Sequence, residues 1–185
     1  VLHSLTLDVR KSVGFILGAG KEDANPPRER SLLGTGFFID HYINKARRTL
    51  LISARHLLNR RSNVGRDDQA RFLWINDKNG RRMEIRLPDR DDWAQHPTTD
   101  VAAVECTPPR DWDGYCHSSS SLLERVKANA LPIGEGTETF FAGLFSGYSG
   151  GDGIEPICRF GHIALMPRRE MTLKFYPGNE NNVYA

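Results

Sequence analysis

Thr49-Leu50-Leu51-Ile52-Ser53-Ala54-Arg55-His56 reads as a short apolar strand that ends in a serine, an alanine and, one residue on, a histidine. The run is too short and too β-favouring for a buried helix, so it is assigned as a strand leading into a loop. A histidine just past a strand end stands where side chains reach into clefts, and its charge state is easily switched near neutral pH. Fifteen residues before Thr49, Gly34-Thr35-Gly36-Phe37-Phe38-Ile39 opens another strand with two glycines. Forty-four residues after His56, Asp100 heads Asp100-Val101-Ala102-Ala103-Val104-Glu105, which puts a carboxylate at the mouth of a third apolar strand.

Outward from these three segments the same period-two signal recurs. It marks Ser12–Leu17, Arg71–Asn76 and Arg81–Leu87 in the first half, with Asn79-Gly80 as a hairpin signal between the last two. Pro108–Ser121, with two prolines, a glycine and four serines, reads as a linker, and Ser121–Ala130 as a short serine-capped helix with Leu122, Leu123 and Val126 on one side. Strands resume at Glu138–Phe145, Glu155–Met166 and Met171–Tyr176, and Asn182–Ala185 opens another. This pattern predicts an all-β chain in three parts: residues 1–107 as a first six-stranded barrel, 108–130 as the linker with its helix, and 131–185 as the N-terminal part of a second barrel.

Composition narrows the function classes. With 39% hydrophobic and 26% charged residues in 185, the chain is neither a disordered tract nor a fibrous repeat. No apolar run approaches the length needed to cross a bilayer, so no membrane partner is expected. The net charge is +2, yet residues 41–90 hold thirteen Lys/Arg against five Asp/Glu. That block could attract a polyanion, but its arginines fall at turns and on alternate strand positions, where a solvated face explains them; nucleic acid is not an expected partner. Cys106, Cys116 and Cys158 have no metal-ligand spacing and suggest neither a zinc site nor a disulfide framework. Low cysteine usage points to a reducing, cytoplasmic setting, with a secreted or periplasmic one if a signal peptide was removed.

The Gly34–Ile39, Thr49–His56 and Asp100–Glu105 motifs, in this order and spacing, resemble those of the trypsin-like serine proteases, especially the bacterial glutamyl-endopeptidase-like and HtrA-like branches. Phe140–Tyr148 followed by Pro156–Ala164 resembles the strands that open the second barrel there. The resemblance implies a double β-barrel, the second incomplete in this chain, and a serine endopeptidase that hydrolyses peptide bonds in a protein or peptide substrate. His56 would be the general base and acid, and Asp100 the carboxylate that orients it. No cofactor or metal is implied.

The nucleophile is a separate matter. Gly147-Tyr148-Ser149-Gly150-Gly151 resembles the family's nucleophile loop, but Ser149 lies only 49 residues after Asp100. The linker and one strand fill that interval, whereas about three second-barrel strands belong there. The expectation is therefore a serine beyond Ala185 in a longer polypeptide, with Ser149 as the alternative. A catalytically inactive trypsin-like module, serving as a protein-binding or sensor domain of a larger protein, is the second reading. The Cys116-His117 pair is read as a loop pair rather than a thiol dyad, and Asp67-Asp68 and Asp91-Asp92 as loop acids. His3, His41, His96, His117 and His162 carry no motif, and Trp74, Trp93 and Trp112 read as packing residues.

Overall fold

Leu51 and Ser53 of the 49–56 stretch point into the protein while Leu50 and Ile52 are half-covered, the alternation of a strand. The computed structural model describes residues 9–18, 31–58, 70–122, 131–145 and 151–164. Within them the strands are β1 (Val13–Gly18), β2 (Leu32–Ile43), β3 (Ala46–Ser53), β4 (Ala70–Asn76), β5 (Arg82–Arg86), β6 (Ala94–Gln95), β7 (Ala102–Glu105), β8 (His117–Ser118), β9 (Glu138–Gly143) and β10 (Ile157–His162). The main sheet runs β5-β4-β1-β2-β3-β7-β6, all neighbours antiparallel, with β8 added parallel to β2. β9 and β10 form a separate antiparallel pair.

β5 and β6 stand at opposite ends of this path yet are consecutive in the chain. Laid flat, seven strands would span about 29 Å. The connection of residues 87–93 barely reaches that far when fully extended, and a 3-10 turn at Arg90–Asp92 shortens it. The sheet therefore curls, and the connection's own Leu87 and Trp93 enter the core it encloses, with Ile16, Phe38, Leu51, Leu57, Leu58, Leu73, Ile75 and Val104. Among the described residues neither sheet closes on itself. Of the expected architecture the all-β character is present, and the described residues form one curled, open sheet and one strand pair.

β1 is buried along its whole length because it is covered on both faces. Ile16 points into the main core, while Val13 and Phe15 pack outward against Ile154, Trp74, Ala142 and Leu144. That second cluster attaches the β9–β10 region to the main sheet. Asn76 reinforces it: its side chain donates to Ile154 O at 2.9 Å and accepts from Ile154 N at 2.7 Å.

Four features differ from the sequence reading. The Gly34–Ile39 and Thr49–Ser53 strands are parts of one long hairpin, longer than either, turned by Asn44 and Lys45 at φ 51° and 67°. A two-residue turn with both φ positive matches the twist of the flanking strands, and asparagine tolerates that conformation. Lysine does so only under strain, so Lys45→Gly is expected to stabilise the protein by about 0.5–1 kcal/mol, raising the melting temperature by about 1–4 °C in a thermal scan. Residues 108–122 do not hang free: Trp112 packs on Phe38 with ring centroids 4.8 Å apart, Asp77 and Trp112 form a β-bridge, and β8 lies along β2. The Asp100–Glu105 strand begins only at Ala102, because residues 96–101 form a loop closed by His96 N–H to Val101 O at 2.9 Å. Two short strands, β6 and β8, carry too few residues for any periodicity to show. The expected strands Met171–Tyr176 and Asn182–Ala185, the end of Glu155–Met166, and residues 123–130 of the expected helix lie outside the described residues.

Candidate active site

Ser53 closes β3 with its hydroxyl donating to Thr35 O at 2.9 Å, which ties the strand end to β2. The chain then turns through a 3-10 segment, Arg55–Leu58, whose Leu57 and Leu58 are buried. They hold the turn down, and His56 is left facing out, with its side chain 63% exposed. Gly34 makes this possible: a Cβ there would stand 2.7 Å from Leu57 Cδ1. The glycines of the Gly34–Ile39 motif therefore serve close packing, Gly36 likewise meeting Leu51 at 2.8 Å.

Asp100 arrives from the β6–β7 loop and meets His56 twice. Its Oδ2 lies 2.5 Å from His56 Nδ1, and its Oδ1 accepts the backbone N–H of His56 at 2.8 Å. The two bonds fix the imidazole's rotation and put a proton on Nδ1, leaving Nε2 as the basic nitrogen; Nε2 has no hydrogen-bond partner among the described residues. Burial pushes the Asp100 carboxyl upward, but the side-chain and backbone hydrogen bonds from His56, with the nearby Arg55 charge, outweigh it and hold Asp100 below the usual carboxylate range. Asp100 is thus ionised at neutral pH and able to stabilise an imidazolium.

Sequence reasoning named His56 and Asp100, and the structure brings them together. It missed two groups beside them. Arg55 Nη1 donates to His96 O at 2.6 Å and Pro97 O at 3.1 Å, and Arg55 N donates to Asp100 O at 3.3 Å. His96 Nδ1 accepts from the backbone N–H groups of Thr98 and Thr99 at 3.3 Å and 3.0 Å. Both groups act on main-chain atoms some 40 positions away or within a loop, and no side-chain motif announces such bonds.

Ser149 lies outside the described residues. The Cys116-His117 pair does not make a thiolate site: burial, followed by the Asp40 charge, pushes the Cys116 thiol up to about 11, and His117 Nε2 is 3.0 Å from Ser12 Oγ. Cys106, Cys116 and Cys158 are free thiols. Among the described residues no group of three His, Cys, Asp or Glu is arranged to hold a metal ion. A cavity of about 350 Å³ opens beside Arg47, Thr49, Glu105, Trp112 and Cys116, towards the other end of β3 from His56, and neither His56 nor Asp100 lines it. No helix is long and apolar enough to cross a membrane among the described residues.

The chain has no significant match to any protein-family model, to any curated protein or to any solved structure.

Proposed function

We propose that this chain carries the histidine and aspartate of a trypsin-like serine endopeptidase. The observation that supports the reading best is the doubly bonded His56–Asp100 pair, exposed where the turn after β3 meets the β6–β7 loop, with Nε2 unbonded among the described residues. In the proposed reaction a serine Oγ attacks the peptide carbonyl carbon while His56 Nε2 takes its proton. The tetrahedral intermediate collapses to an acyl-enzyme as His56 returns that proton to the leaving amine, and water repeats the sequence to release the acid. Asp100 stays ionised throughout and stabilises the imidazolium. The serine is one beyond Ala185 in a longer polypeptide, with Ser149 as the alternative.

The expected result is hydrolysis of denatured casein by the full native protein, lowered at least a thousandfold in His56→Ala. A folded protein that leaves casein intact, or a His56→Ala variant that cleaves it equally well, overturns the proposal. A second reading, an inactive module that binds a protein partner, draws on the exposed Phe141, Phe145 and Phe160 of the β9–β10 region. It gains if no hydrolysis is found.

A further inference from the structure

We propose that Arg55 and His96 are positioning residues that together hold the Asp100 loop so that its carboxylate meets His56. The inference rests on the peptidase reading for its consequence in catalysis, and on geometry alone for the clamp itself. The loop between β6 and β7 is short and its tip is largely exposed: His96, Pro97, Thr98 and Asp100 all face solvent. Such a tip would ordinarily sample several conformations. Here its polar backbone is taken up by two side chains. Arg55 binds the carbonyls of His96 and Pro97 through one nitrogen, and its own backbone N–H binds the carbonyl of Asp100. His96 binds the N–H groups of Thr98 and Thr99 with one ring nitrogen, while its backbone N–H closes the loop on Val101.

The clamp is built so that it reports on His56 directly. Arg55 is the residue next to His56 on the 3-10 turn, so one short segment presents the base and grips the loop that carries its partner. Leu57 and Leu58 fix that segment in the core, which makes the turn the rigid side of the contact and the loop the adjustable side. An Asp100 displaced by about 1 Å would lose the bond to Nδ1, and misplacement on that scale in a catalytic group reduces rates about a hundredfold. His96 accepts through Nδ1 and therefore carries its proton on Nε2, the opposite tautomer to His56.

The test is a two-bond nitrogen–proton correlation spectrum of the 15N-histidine-labelled chain, which reads each tautomer whether or not peptide is cleaved. In the wild type His56 is expected as the Nδ1–H tautomer and His96 as Nε2–H, and Asp100→Asn identifies the His56 signals by moving them. Arg55→Met keeps the apolar stem and removes the donors. It should shift His56 towards the Nε2–H tautomer, cutting the Nδ1–H population at least threefold, and lower kcat about ten- to a hundredfold with KM little changed. Arg55→Lys restores one donor nitrogen and should recover most of both. His96→Ala should act in the same direction as Arg55→Met, and decides the matter if Arg55→Met does not fold. A His56 tautomer unchanged in folded Arg55→Met and His96→Ala overturns the clamp, as does a wild type lacking the Nδ1–H tautomer. Absence of hydrolysis in the wild type with the tautomer shift intact overturns the peptidase reading instead.

Discussion

Asp100→Asn is expected to lower peptide hydrolysis by the full native protein about ten-thousandfold while leaving the fold in place. The carboxylate accepts two N–H groups of the same residue, at His56 N and His56 Nδ1. An amide can accept only one of them. If its oxygen keeps the backbone N–H, its NH2 faces Nδ1, and the imidazole must move its proton to Nε2, where it blocks acceptance of the nucleophile's proton. Stability carries a second signature. Asp100 titrates below the usual carboxylate range in the folded protein, so its contribution is present above about pH 4 and lost as pH falls through its folded-state pKa. The asparagine variant lacks that contribution, and the difference between the two proteins in urea should be constant from pH 7 to about pH 5 and narrow progressively as pH falls below about 4. Equal activity in the variant, or a gap that widens in acid, would contradict this account of the pair.

The second large effect falls in the core of the main sheet. Phe38 is fully buried on β2 and packs against Trp112, with the two rings tilted by 55°. It therefore joins the sheet to the 108–122 segment as well as filling the core. Phe38→Ala is expected to lower stability by about 3–5 kcal/mol in urea unfolding, the range for emptying an aromatic site in a core. Trp112 should lose its apolar cover at the same time, giving a red-shifted fluorescence emission in the native state. A loss below about 1 kcal/mol with unchanged emission would mean that the segment is not held by this contact.

Legibility in the sequence followed the length scale of the physics. Strands with five or more residues and one buried face announced themselves through alternation, as β4 and β5 did. β1 was also visible, although its coverage on both faces was not, because Ile154, Ala142 and Leu144 come from more than a hundred positions away. The Asn44-Lys45 turn carries no such signal, since it lacks the glycine that usually marks positive φ. Pro108–Ser121 reads as a linker because its order comes from single contacts, Trp112 on Phe38 and a two-residue parallel bridge, rather than from any repeat. At the site, His56 and Asp100 were readable as a spaced motif. Arg55 and His96 were not, because they bind carbonyl and amide groups that every residue possesses.

The most direct measurement of the central claim is intact-mass analysis of the full native protein after reaction with a fluorophosphonate, followed by peptide mapping of the adduct. The account predicts one adduct per chain on a serine, lost in His56→Ala and strongly slowed in Asp100→Asn, with Ser149→Ala separating that position from a serine beyond Ala185. A folded protein that takes no label, or one labelled equally well without His56, would contradict it.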